Sequence, residues 1–457
     1  MKRFRSYDPE QPYLLPPDPR EWLPEDHLAL FLHDLVDQLD VTEIVRAYGD
    51  GDSGGYPPFD PRMMLRIWIY AYATGVRSSR KVAKALVDDV AYRFLSGNQQ
   101  PKYWALNQFR TRHREAFSNL FIQSVHLAAA AGLVKLGHVA IDGSKLKANA
   151  SLNKAMSYAR LTREEARLRE EFDAYLDACD EVDAKEDDAY GPGDGEQELP
   201  EHLRSRAGRL KAIREAKERL ERDAQERAAR EQEARRDAAV RADRAYHPRV
   251  DPADAKPRPS EQRNFTDPDS RVMRKGTAFV QAFNTQAAVD SYRQVIVATH
   301  VTNLAPDTPH LPDLLSEVHD NLAAHPEEVS ADAGYYSDKN LDAIENRGAR
   351  PFVATGRITH HEWRNQKPPQ GRIPKGLTRR ERMKRLLSTK AGRAAYLKRQ
   401  TTVEPVFGQI LHARALHQAH HRGLEKVNAF WRFDCAIHNL LKLFRYGPRT
   451  WIRPVTP

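Results

Sequence analysis

Between Leu23 and about residue 135 the apolar residues recur at helical spacing, and at Gly137 that period changes. "GHVAIDGSKLKANAS" (137–151) alternates apolar and polar residues, the pattern of a half-buried strand. Nothing constrains the fold more than this change. It excludes both an all-helical bundle and an all-β sandwich, because a helical unit must hand over to a sheet. The strand reads as ending at Asp142, followed by Gly143 and Ser144 and then by Lys145 and Lys147. An aspartate at the end of a buried strand costs free energy unless something cationic meets it.

The helical unit covers residues 1–135. Residues 1–22 are proline-rich and read as an extended arm. Leu28, Phe31, Leu32, Leu35, Val36 and Leu39 then form one helical stripe. "FDPRMMLRIWIYAYATG" offers Asp60 as N-cap, Pro61 at the first helical position and Gly75 as a stop. A third helix is expected from Ser78 or Ser79, and a long fourth one through Leu106, Phe109, Phe117, Leu120, Phe121 and Val125.

Residues 136–152 and 271–457 read as an α/β domain with a mixed sheet. "GTAFVQAFNTQAAVD" (276–290) and "RQVIVATHVT" (293–302) form a hairpin around Asp290, Ser291 and Tyr292. A helix over 308–323 leads to the strand "EEVSAD", ending at Asp332, and a helix over Asp338–Arg347 precedes the strand "RPFVATG". The final stripe, Leu424, Val427, Trp431, Cys435, His438, Leu441 and Phe444, reads as core, with His438 packed rather than ligating.

The segment 153–270 interrupts this domain as a charged helical insertion. Thr162 and Glu165 have capping-box spacing. Leu168, Phe172, Leu176, Cys179 and Val182 share a helical stripe, and "EDDAYGPGDGEQELP" (186–200) reads as a polar turn before an Arg/Glu/Ala-rich helix. The expected result is an antiparallel helical hairpin with a thin apolar seam.

Composition narrows the function classes. The 72 Lys+Arg against 63 Asp+Glu leave a formal charge of +9, which suits a polyanionic partner such as nucleic acid or simply keeps the chain in solution. Two cysteines, Cys179 and Cys435, argue against a disulfide framework or a Cys-based zinc site. No apolar run approaches the ~18 residues of a spanning helix, and no apolar segment follows the basic start, so the expectation is a soluble, intracellular protein. The absence of a GxxxxGK[ST] run argues against an NTP-driven engine.

Two strands thus end on aspartates in similar contexts, "VAIDGS" and "VSADAG", where open α/β domains bind ligands. A third acid, Glu404 in "TTVEPVFGQI", begins an apolar helical segment with Pro405 in its first turn. Each acid alone could merely cap a helix. Together, hard oxygen donors suit Mg²⁺ or Mn²⁺, and two such ions ~3.5–4 Å apart can drive phosphodiester chemistry. Lys145 and Lys147 would then face a nucleic-acid backbone.

The order of helical domain, "IDGSKLKANAS", "SADAGYYSDKNL", "YLKRQTTVEPVFGQI" and "RGLEKV…HNLLKL" resembles bacterial insertion-sequence transposases of the DDE type. The resemblance implies an RNase H-like catalytic core in which Asp142, Asp332 and Glu404 form the metal-binding triad. It also implies a Tyr-x-x-Arg pair, matched by Tyr396 and Arg399, with Arg399 on phosphate. Where relatives often carry a lysine after the glutamate this chain has Leu411, with His412 and Arg414 as nearby cations. The implied reaction is metal-dependent nicking at terminal inverted repeats, then attack of the freed 3′-hydroxyl on target DNA. The implied cofactor is Mg²⁺ or Mn²⁺, as two ions. The implied partners are double-stranded DNA and a second copy of the chain in a synaptic complex, in the cytoplasm and on the nucleoid.

The N-terminal helices would recognise the ends. "SSRKVAKALVDDVAYRFLSG" and "PKYWALNQFRTRHR" read as a helix-turn-helix-like unit exposing Asn107, Gln108, Arg110, Arg112 and His113. A solvated helix face would explain the same residues. Two other functions fit this composition: an inert DNA-binding protein acting as a self-repressor, and a nuclease that cuts by DNA structure.

Overall fold

A computed structural model describes residues 18–48, 57–190, 201–246, 248, 251–356, 369, 371, 374 and 376–448, with helix residues 175–190 and 201–205 described by backbone alone. Most of the proline-rich arm and the turn at 191–200 lie outside the described residues, as do the side chains of Leu176, Cys179 and Val182. Among the described residues seven α-helices precede the first strand: α1 (Leu28–Val36), α2 (Thr42–Arg46), α3 (Pro61–Ala73), α4 (Ser79–Asp88), α5 (Val90–Leu95), α6 (Tyr103–Arg112) and α7 (Arg114–Ala130). Asp60 caps α3 by accepting from the Met63 amide at 2.8 Å, with Pro61 at the first position. The expected long fourth helix is two helices. His113 leaves the helical region at φ −101°, ψ 30°, which ends α6 before α7 begins.

The main sheet contains β1 (Val139–Lys147), β4 (Arg271–Lys275), β5 (Ala278–Asp290), β6 (Ile296–Thr302), β7 (Glu328–Ala331) and β8 (Arg350–Val353). A small ribbon pairs β2 (Ala155–Ser157) with β3 (Gln262–Asn264). β5 runs antiparallel to β1, β4 and β6, whereas β7 is parallel to β1 and β8 to β7. With α10 (Leu311–Leu322) and α11 (Asp338–Glu345) making the crossovers, this is an RNase H-like mixed sheet flanked by helices.

Two expectations about the site strands need correction. β1 does not stop at Asp142. Its pairing with β5 continues to Lys147, because only the parallel partner β7 ends early, at Ile141↔Ala331. Glu404 does not begin a helix either, but lies well inside the Lys390–Gly408 helix. Pro405 is therefore interior and leaves the Thr401 carbonyl without its helical donor. Gln294 fills that role, its side-chain amide donating to Thr401 O at 2.8 Å.

The C-terminal helix Leu424–Tyr446 packs against α7 and the sheet. Phe433 lies edge-on to Phe117 at 4.7 Å, and Trp431 donates to Thr299 Oγ1 at 2.7 Å. Its Asn439 bonds both the amide (2.8 Å) and the carbonyl (2.9 Å) of Ile296, and Asn428 accepts from the Val301 amide at 2.9 Å. The outer edge of β6 is thereby covered rather than left to pair with another chain. His438 is fully buried, with Nε2 2.8 Å from Gln294 O, and burial holds its pKa well below the ordinary value.

The insertion is the expected hairpin, α8 (Tyr158–Tyr190) and α9 (Glu201–Arg241). Tyr158 meets Glu221, Glu165 meets Lys217, and Glu171 meets Arg206, a descending order that makes the helices antiparallel. Leu161, Leu168, Leu210, Ile213 and Leu220 form the thin seam. The capping-box reading of Thr162 fails: α8 begins four residues earlier, and the Thr162 hydroxyl bonds back to Tyr158 O.

Candidate functional site

The register of β1 and β7 explains how two acids distant in sequence become neighbours. Ile141 and Ala331 are the last paired residues of these adjacent parallel strands, and Asp142 and Asp332 are the next residue on each. Asp142 receives the Gly143 amide at 2.8 Å, and Asp332 receives the Gly334 amide at 2.8 Å. Burial is the main cause that raises the Asp142 pKa, to about 7, and the charges of Asp332 and Glu404 raise it further. Burial also lifts Asp332.

The Lys390–Gly408 helix lays its Arg399 across this pair. Arg399 donates to Asp142 Oδ2 at 2.6 Å and to Glu404 Oε1 at 3.1 Å. A guanidinium therefore answers the sequence's question of what cation meets Asp142. Its ring neighbour is Tyr396, 5.8 Å away. The Asp142 side chain is 18 % exposed and that of Glu404 51 %, so the site opens to solvent on the glutamate side. Among the described residues no three His, Cys, Asp or Glu side chains stand close enough to hold a metal ion as they are placed. The donors, all carboxylate oxygens, are nevertheless of the type Mg²⁺ and Mn²⁺ take. Arg399 occupies with one positive charge the position between Asp142 and Glu404 where such an ion could bind.

Several expected DNA contacts lie elsewhere. Arg110 is only 6 % exposed: it sits 4.4 Å over Trp68 and donates to Arg77 O at 3.0 Å, so it braces the helical unit from inside. Arg414 is 5 % exposed beneath the turn that follows the glutamate helix, and burial lowers its pKa to about 10. It faces the core, not solvent. Lys145 is committed inward, bonding Ala305 O at 2.8 Å and Asp307 at 3.0 Å. Lys147 and His412 remain exposed, His113 is buried, and Leu411 is buried in a π-helical turn over Gln409–Ala413.

On the helical unit, Asn107, Gln108 and Arg112 do share an exposed face. They line a groove of about 830 Å³ with Ser78, Ser79, Arg80, Tyr103, Trp104 and Thr111. Arg110 reaches from below to bond Asn107 Oδ1 at 3.0 Å, and Arg80 lies 5.2 Å over Tyr103. The two exposed aromatics went unread in the sequence, although "YW" opening a helix just before "NQ" was a signal for them.

Residues 17–112 match the family model described as Transposase domain (DUF772), and residues 253–440 match the one described as Transposase DDE domain. Together the two spans exceed half of the chain, and the second contains Asp332, Arg399 and Glu404. No curated protein and no solved structure matches it.

Proposed function

The chain belongs to the insertion-sequence DDE transposases, and from that premise we propose that it cuts and joins the terminal inverted repeats of its own element at Asp142, Asp332 and Glu404. The observation that carries this reading is the register: Asp142 and Asp332 follow the last paired residues of adjacent parallel strands, with Glu404 joined to Asp142 through Arg399. The three acids would hold two Mg²⁺ or Mn²⁺ ions. When bound, these ions activate a water or a 3′-hydroxyl and stabilise the leaving oxygen. Arg399 would leave its carboxylates to an ion and turn its planar fork to a phosphate, with Tyr396 fixing its approach. Lys147 supports backbone binding near the cut. Asn107, Gln108 and Arg112 would read the element's end from the groove that Trp104 walls. As with other proteins of its class the partner is DNA. A second copy in the synaptic complex completes the proposal.

Cleavage of DNA carrying the repeats that flank the gene tests it, with the parent compared to Asp142→Asn, Asp332→Asn and Glu404→Gln. The parent should nick at the repeat ends only with Mg²⁺ or Mn²⁺ present. Each variant should lose at least about a hundredfold in rate, as expected when an ion worth several kcal/mol is lost. Undiminished cutting by all three variants would remove the triad. Salt-sensitive end binding with no nicking would favour the self-repressor, and cutting governed by DNA structure would favour a nuclease.

A further inference from the structure

Besides the three expected acids, a fourth carboxylate stands at this site. Asp307 lies in the loop between β6 and α10. Three donors converge on one of its oxygens: Asn284 Nδ2 at 2.7 Å, Gln286 Nε2 at 2.9 Å and Lys145 Nζ at 3.0 Å all reach Oδ1. Asn284 and Gln286 are fully buried on β5, so this clamp is a built feature rather than a chance surface contact. No hydrogen bond reaches the other oxygen, Oδ2, among the described residues.

That second oxygen shares the space beside Gly334 with Asp332. A methyl group placed on Gly334 would stand 3.0 Å from Asp332 Oδ1 and 3.3 Å from Asp307 Oδ2, so the two carboxylates flank one point. Side chains lock the two loops together. Thr308 donates to Gly334 O at 2.7 Å, and Asn340 donates to Thr308 O at 2.8 Å and to Tyr335 O at 2.7 Å. A fold that needed Asp307 only to tether its loop would satisfy that need through Oδ1. Lys145 already balances the charge of Asp307 through Oδ1, and a cation at Asp332 would give the second oxygen a partner as well.

We propose that Asp307 is a positioning residue of the metal site: its free Oδ2 accepts hydrogen bonds from the water shell of the ion at Asp332, while Lys145, Asn284 and Gln286 fix its orientation. Mg²⁺ keeps several waters when protein-bound, and partners of a metal's own ligands set its affinity. The inference rests on the metal-triad reading above.

The discriminating variant is Asp307→Asn, which keeps an oxygen for the three clamp donors and removes Oδ2 together with the charge that pairs with Lys145. Mn²⁺ binding to the full chain is followed by electron paramagnetic resonance of the free ion, with thermal unfolding recorded without metal. Asp307→Asn should weaken Mn²⁺ binding by about 10- to 100-fold, with the metal-free unfolding midpoint lowered by no more than the loss of one partly exposed ion pair, and Asp307→Glu should recover part of the loss. Should the Asn variant not fold, Asp307→Ser, with a hydroxyl in place of Oδ1, is expected to show the same weakening. Parent affinity in a folded Asp307→Asn or Asp307→Ser protein overturns the inference. Asp142→Asn runs alongside: if it is weakened while Asp307→Asn is not, only the role of Asp307 falls. If Asp142→Asn also binds as the parent does, the metal-triad reading falls with it.

Discussion

Arg399 carries the electrostatics of the site, and its position makes opposite demands on metal and on DNA. It neutralises Asp142 and Glu404, so under the proposed triad metal and guanidinium would compete for the same oxygens. Arg399→Gln should therefore bind Mn²⁺ several-fold more tightly than the parent while cleaving end DNA at least about tenfold more slowly, since the phosphate loses a charged donor. Calorimetry and a single-turnover assay read the two effects separately, and a parallel fall in both would contradict the account. The residues differ in how far the sequence revealed them. Asp142 and Asp332 were legible because each follows an apolar alternating run. Glu404 was singled out beside them as an acid opening a helix, but its place inside the Lys390–Gly408 helix was misread, because Pro405 looks like a helix start in sequence. Asp307 was illegible, since its role depends on donors from β5 and on a glycine turn 27 positions downstream.

Among the elements, the C-terminal helix does most to join the helical unit to the catalytic sheet. Arg77, just before α4, forms a bidentate pair with Asp434 at 2.6 and 2.9 Å, and both side chains are almost fully buried. Removing one partner strands a buried charge, so Asp434→Asn should lower unfolding free energy by about 3–5 kcal/mol, read from urea midpoints. Next to this pair His421 stacks on Phe430 at 3.9 Å, and burial, with Arg110, His420 and Lys426 nearby, lowers its pKa to about 3. The unfolded chain accepts that proton near pH 6.5 and the folded one does not. The histidine's contribution is thus complete above about pH 6.5 and falls by up to about 1.4 kcal/mol per unit as pH drops below it. His421→Phe should flatten the urea midpoint against pH between 6.5 and 4, and an unchanged slope would contradict this. The elements were read well where their own residues settle them, as in α3 with its Asp60 cap and the β5–β6 hairpin. They were misread where a tertiary partner decides: β5 prolongs β1 past Asp142, and Gln294 lets Pro405 sit mid-helix.

At the scale of the whole molecule, a basic chain presents an exposed polar and aromatic groove on its helical unit and an acid-lined site at the ends of its parallel strands. No helix among the described residues is long and apolar enough to cross a membrane. The change of period at Gly137 lies just ahead of the first strand at Val139, whereas burial of Arg110 and Arg414 was not foreseeable, because a helical face in sequence does not reveal which neighbour covers it. The proposed reaction depends on Asp142, Asp332 and Glu404 sharing divalent ions. Anomalous scattering from crystals of the chain bound to its end DNA and soaked with Mn²⁺ tests that most directly. Manganese density is expected between Asp142 and Asp332, with Arg399 turned from its carboxylates to a phosphate. Density absent from that place, with Arg399 still bridging Asp142 and Glu404 in the DNA complex, would contradict it.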